Sequence, residues 1–256
     1  MRSRLPSIIV RAFCFIAFIQ MAGIARAQST TIYSDDFPGS SSNPLNGTTP
    51  VIESGSLGGS GTAAWSAGGY FNADGSVEAS GGYNSAVLPF QPQAGNIYTL
   101  SADINNTDGD STWIALGFEQ VNNTSSAFNG NSGYDWMLIR GNRGSGQGQR
   151  FLGANTAGSA TFTMPSGTVD LSEVLNTTGA QWTAEWFANG TLISGPTSYT
   201  SAPSINYVGF SEFADGAGTV GDFSLTATQP VPEPSAILSL VLGSAGILLA
   251  SRRCVK

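Results

Sequence analysis

The sequence predicts an all-β sandwich, and three observations carry that prediction. From Thr30 to Thr228, short runs of alternating apolar and polar residues are broken by Gly, Asn, Asp and Ser, the pattern of strands with one face buried. Helical periodicity is nearly absent over the same stretch. Trp182 to Ala188, Asn189-Gly190 and Thr191 to Ile193 read as two alternating runs around a two-residue turn, where Asn-Gly supplies the positive φ angles of a type I′ hairpin.

The strands follow in order. Ile97 to Ile104 places Tyr98, Leu100, Ala102 and Ile104 on one face, with Thr99, Ser101 and Asp103 on the other. Trp113 to Glu119 turns Ile114, Leu116 and Phe118 inward in the same way. Further strands are expected over Tyr134 to Arg140, Ala160 to Met164, Trp182 to Ala188, Ile205 to Phe213 and Asp222 to Thr228. Asn105 to Gly109, Asn189-Gly190 and Asp215-Gly216 supply turns between them. Leu171 to Leu175 fits either a helical turn or a strand. Alternation sends Glu185 and Glu212 toward solvent, with Trp186 and Phe213 facing the core.

Composition bounds the rest. Five Trp, seven Tyr and fourteen Phe give enough apolar surface for a folded core despite the many small polar residues. Between Gln28 and Ser235 lie 17 acidic side chains and three arginines, Arg140, Arg143 and Arg150, for a formal charge of −14. Such a surface repels phosphate backbones, so nucleic acid is excluded as an expected partner. The chain has no His, and its cysteines, Cys14 and Cys254, lie in the end segments. The central region therefore has no disulfide, no Cys nucleophile and no His for acid–base work or metal ligation.

Both ends read as targeting segments. Met1 to Arg4 and Arg11 are a charged region, Ala12 to Ala25 an apolar one, and Ala25-Arg26-Ala27 a small-residue cleavage site, so 1–27 is expected to be a signal peptide cut between Ala27 and Gln28. The sandwich then occupies 28–228, and 229–256 forms a second targeting segment. There Val231-Pro232-Glu233-Pro234 precedes an apolar run from Ala236 to Ala250, followed by Arg252-Arg253 and Lys256. As a helix that run rises about 22 Å, short of the roughly 30 Å hydrocarbon core. The basic end is a cytoplasmic stop, which places the sandwich outside the inner membrane.

Motif, span and arginine pair together resemble the PEP-CTERM sorting signal, over about 26 residues. The resemblance implies that Val231, Pro232, Glu233 and Pro234 are recognised by an exosortase, a membrane-embedded cysteine transpeptidase. It also implies a Gram-negative cell-surface or matrix protein made alongside exopolysaccharide and tethered to the inner membrane before processing. A second resemblance rests on Asp35-Asp36-Phe37 with Leu45-Asn46-Gly47-Thr48, Trp182 to Gly190, Tyr207-Val208-Gly209-Phe210 and Asp222-Phe223-Ser224-Leu225. These look like the concanavalin A-like, laminin-G-type jelly roll, which implies that the first and last strands lie side by side with Phe37 near Phe223.

Candidate chemistry is sparse. Relatives of that fold include glycoside hydrolases, which need two carboxylates about 5–10 Å apart. Glu119, Asp135, Glu185 and Glu212 instead stand alone in their strands, so no catalytic residue and no cofactor is assigned. Asn106-Thr-Asp108-Gly-Asp110 offers hard oxygens two residues apart, making Asp108 and Asp110 the Ca²⁺ candidates, against the plainer reading of an Asx-rich turn. Arg140 to Arg150 forms a Gly-rich loop without the Lys and following helix of a phosphate-binding loop. Its arginines either pair with nearby acids or, with Trp136, contact an anionic glycan. Trp65, Tyr70, Tyr83, Trp113 and Trp136 either stack on sugars or fill the core. The expected protein is a non-enzymatic surface or matrix component associated with carbohydrate. The alternatives are a degenerate glycoside hydrolase or lyase, and a self-assembling coat protein.

Overall fold

A computed structural model of the chain describes residues 27–40, 44–69, 71–79, 82–106, 112–125, 133–141, 148–152, 161–199, 202–213 and 218–230. The strands, in chain order, are β1 (Gln28–Asp35), β2 (Ile52–Glu53), β3 (Ser66–Ala67), β4 (Phe71–Ala73), β5 (Val77–Ala79), β6 (Tyr83–Pro89), β7 (Ile97–Asn106) and β8 (Trp113–Glu119). They continue as β9 (Gly133–Arg140), β10 (Gly148–Leu152), β11 (Thr161–Phe162), β12 (Val169–Asn176), β13 (Thr183–Ala188), β14 (Thr191–Ser198), β15 (Tyr207–Phe213) and β16 (Gly218–Gln229). No helix occurs among the described residues, and the two expected terminal helices lie outside them.

The strands form two antiparallel sheets. One has nine strands, ordered β14-β13-β12-β7-β16-β1-β2, with β5 joining β16 and β4 joining β5. The other has seven, ordered β11-β10-β9-β8-β15-β6-β3. The first strand lies beside the last, as the jelly-roll resemblance implies. A single apolar core drawn from both sheets lies between them, and Trp65 sits at its aromatic centre. The Trp65 ring lies 5.8 Å from Phe37, 5.4 Å from Phe210 and 5.0 Å from Phe223, so Phe37 and Phe223 meet through it. Its indole N–H donates to Asp35 Oδ2 at 2.6 Å, which gives a fully buried Trp the polar partner it needs.

β7 alternates as expected, with Tyr98, Leu100, Ala102 and Ile104 buried and the residues between them half-exposed. The Asn189-Gly190 turn has φ values of 49° and 71°, and Ala188 pairs with Thr191 across it, which is the hairpin read from the sequence. Leu171 to Leu175 is strand, inside β12, held by β7 on one side and β13 on the other. Glu212 departs from its expected place and is buried. Val208 and Phe210 belong to the core between the sheets, so Glu212 shares their face, and Phe213 lies half-buried on the opposite one.

Candidate functional site

The outward face of the seven-stranded sheet is itself apolar. Val87, Trp113, Ala115, Trp136, Leu138 and Phe151 form a second buried cluster there, with Tyr207 and Phe213 packed at its margin. Trp136 stacks on Phe151 at 4.1 Å and Tyr83 stacks on Phe213 at 4.0 Å. Between these rings the face is flat, because Gly117 and Gly209 are register partners in β8 and β15. A Cβ at Gly117 would lie 2.6 Å from Trp136 Cβ, and one at Gly209 would lie 2.0 Å from Ala86 O, so neither position tolerates a side chain. Tyr83, 43% exposed, is the ring of this face most open to solvent.

Past Tyr207 the face runs into an open cleft of about 740 Å³ at the end of the sheet. Its polar lining is a set of side-chain amides, Gln91, Gln93, Gln120, Asn122 and Asn206, with Tyr207, Phe90 and two prolines supplying apolar surface. Among the described residues no charged side chain lines it. Asn206 organises the wall: its amide N–H₂ donates to Gln120 O at 2.7 Å, and its Oδ1 accepts from Gln91 Nε2 at 3.2 Å. Its backbone N–H donates to Glu119 O at 2.8 Å. Gly58, at φ 104°, packs so closely under Gln91 that a Cβ would lie 2.2 Å from the Gln91 carbonyl oxygen.

Glu119 closes β8 on the outward face, directly across from Tyr207 and one residue before Gln120. It is fully buried, and among the described residues neither carboxyl oxygen has a hydrogen-bond partner. Burial therefore holds its pKa well above the ordinary carboxylate value.

A second polar group lies between the sheets. Arg150 Nε and Nη2 donate to Asp135 Oδ1 and Oδ2 at 3.0 and 2.5 Å, a bidentate ion pair with both partners buried. Arg150 Nη1 donates to Ser194 Oγ and Thr197 Oγ1, each at 3.0 Å. Asp135 also accepts from Trp186 Nε1 at 3.1 Å and from the Tyr199 hydroxyl. Glu173, buried beside them, has its pKa raised by burial first and then by the Asp135 charge, with Arg150 opposing. The same burial and the same two carboxylates raise the Tyr199 phenol, again against Arg150. Because β9 and β10 supply Asp135 and Arg150 while β12 to β14 supply most of the rest, this network ties one sheet to the other.

These placements sort the residues singled out in the sequence. Arg150 is no surface contact: it lies in β10 facing the core, where only its ion pair and hydrogen bonds make its burial tolerable. Trp136 is on the outward face but 5% exposed beneath its neighbours, so its ring is not a free platform. Arg140, half-buried at the end of β9, donates to Gln149 Oε1 at 3.3 Å. Trp65 is core, and Glu185 lies half-buried on the outer face of the nine-stranded sheet. Ala27 and Gln28 are exposed, and Gln28 begins β1. Arg143, Asp108, Asp110, Tyr70, Val231 to Pro234, Arg252 and Arg253 lie outside the described residues. Among the described residues no group of three or more acidic or Cys side chains is placed to hold a metal ion. Sequence reasoning missed the cleft amides and Glu173, since amides on separate loops carry no spacing signal.

No protein-family model matches the chain, and no curated protein matches it. Solved structures do resemble it. An endo-1,3-beta-glucanase from Streptomyces sioyaensis aligns over 82% of this chain and 100% of its own, at 15% identity and a TM-score of 0.49. The Emp47p carbohydrate recognition domain aligns over 80% and 98%, at 10% identity and a TM-score of 0.47. A Bacillus subtilis protein of unknown function with a galectin-like fold aligns over 80% and 100%, at 12% identity and a TM-score of 0.46. The likeness is one of fold.

Proposed function

We propose that the chain is an exported, non-enzymatic component of the cell surface or extracellular matrix, whose sandwich associates with carbohydrate through the cleft at Asn206 and Tyr207. The observation that carries this reading is the lining itself. Amides with both donors and acceptors suit sugar hydroxyls, and an aromatic ring at the mouth suits a pyranose face. The placement of the carboxylates supports the non-enzymatic reading. Glu119 is on the outward face of its sheet and Asp135 on the inward face, so these two cannot flank one glycosidic bond. Export through the 1–27 segment, sorting by an exosortase through Val231 to Pro234 and association with exopolysaccharide complete the proposal, with the motif as their support.

The test is retention of the full chain on immobilised polysaccharides, with Tyr207→Ala and Asn206→Ala as site variants and release of reducing sugar measured in parallel. Retention lost in both variants, with no sugar released, is the expected result. No retention of the wild-type chain on any polymer refutes the carbohydrate reading, and turnover that disappears in Glu119→Gln refutes the non-enzymatic one.

A further inference from the structure

One amide of the cleft is oriented before any ligand arrives. The Asn206 amide N–H₂ donates to the backbone carbonyl of Gln120 at 2.7 Å, and a backbone carbonyl can only accept. That contact fixes which end of the Asn206 side chain faces which way, and leaves its Oδ1 for Gln91. An amide oxygen can only accept, so Gln91 must meet it with Nε2, at 3.2 Å. The other end of the Gln91 amide is therefore its Oε1, an acceptor without a hydrogen-bond partner among the described residues.

The backbone beneath this side chain is held as well. The Gln91 N–H donates to Gly58 O at 3.0 Å, the Phe90 N–H donates to Asn206 O at 2.8 Å, and Gly59 bridges to Phe90. The remaining amides of the lining lack such a latch. Among the described residues the Gln93 and Gln120 side chains make no hydrogen bond. Asn122 Oδ1 meets the Ser66 hydroxyl at 3.0 Å, and a hydroxyl can give or take, so that contact fixes neither end of the amide.

We infer that Gln91 is a ligand-contacting residue of the cleft, its Oε1 accepting a hydrogen bond from a glycan hydroxyl, and that Asn206 is a positioning residue acting through Gln91. This rests on the carbohydrate reading above. The group so selected is a hydroxyl with its proton free, since an acceptor gains nothing from an ether or ester oxygen in the same place. An acceptor already oriented loses little side-chain freedom on binding, so Asn206 raises affinity without touching the sugar.

The experiment is calorimetric titration of the full chain with neutral gluco-, manno- and galacto-oligosaccharides. Wild type, Gln91→Ala, Asn206→Ala and the double variant are compared, with thermal melts as the folding control. Gln91→Ala should lose about three- to tenfold in affinity, the effect of one unmade hydrogen bond, and Asn206→Ala no more than that. The double variant should bind within about twofold of Gln91→Ala alone, because Asn206 then has nothing to orient. Losses that multiply across the two substitutions overturn the positioning role, and a Gln91→Ala chain that binds like wild type overturns the contact itself. Either result leaves the carbohydrate reading intact. If Asn206→Ala melts far below wild type, Gln91→Met, which keeps the side-chain length and removes Oε1, carries the test: it should match Gln91→Ala, and wild-type affinity there overturns the inference. Failure of every oligosaccharide to bind wild type overturns both readings.

Discussion

Replacing Arg150 with alanine removes a guanidinium that donates twice to Asp135, once each to Ser194 and Thr197, and at 3.5 Å to Ala184 O. Trp186 and Tyr199 still donate to Asp135, but the carboxylate is left buried without its counter-ion. Removing one partner of a buried pair costs about 3–5 kcal/mol, and the two surviving donors place this case near about 3. For a domain of about 200 residues each kcal/mol lowers Tm by about 2–4 °C, so a drop of about 6–12 °C is expected. Thermal and urea unfolding, with an unchanged urea m-value, measure it. The companion variant replaces Asp135 with Leu, Arg150 with Met and Glu173 with Leu together, removing every charge from the network, and should come within about 1 kcal/mol of wild type or exceed it. An Arg150→Ala protein within about 1 kcal/mol of wild type refutes the view that this ion pair ties the sheets together.

Glu119 and Glu173 both titrate well above 4.5 in the folded chain, so between pH 4.5 and their folded pKa values the folded state holds protons that the unfolded state has released. Stability should be highest in acid and decline as the pH rises through that window, and Glu119→Gln and Glu173→Gln should each flatten a melting series from pH 4 to 9; a Tm that rises with pH contradicts the assignment. On the outer face of the nine-stranded sheet Asp103 lies opposite Asp170 and close to Asp222, and its pKa is raised by burial and then by those two charges. Asp103→Asn should stabilise by roughly 0.3 kcal/mol at pH 7, a gain that fades in high salt. Gly190→Ala, at φ 71° in the hairpin turn, should cost about 1 kcal/mol in urea unfolding.

Alternation made strands legible. β7 and β13 bury one face and announce themselves by it, and β8 was read although both its faces are buried, whereas β6, Tyr83-Asn-Ser-Ala-Val-Leu-Pro89, is buried on both sides from Asn84 to Leu88 and shows no period. β10 was hidden for a different reason. Gly148-Gln-Arg-Phe-Leu152 follows a run of glycines, and its one charge suggests a surface until Asp135 is seen opposite, at a sequence separation that no local pattern conveys. Glu212 was misread because Phe210 and Phe213 are an odd number of residues apart and cannot share a face, and nothing local says which one is inside. The candidate site is the least legible part, since its amides come from three separate segments brought together by the fold.

The position of β16 between β7 and β1 also fixes a sequence of events during synthesis. Until Gln229 has left the ribosome, β7 and β1 each lack the neighbour that completes their hydrogen bonding, and Trp65 lacks the Phe223 ring that closes its surroundings. An amino-terminal fragment that stops before β16 holds every strand of the seven-stranded sheet but leaves the nine-stranded one incomplete. The last strand to be made is thus an interior strand of its sheet, and the core between the sheets closes only when the end of the domain arrives.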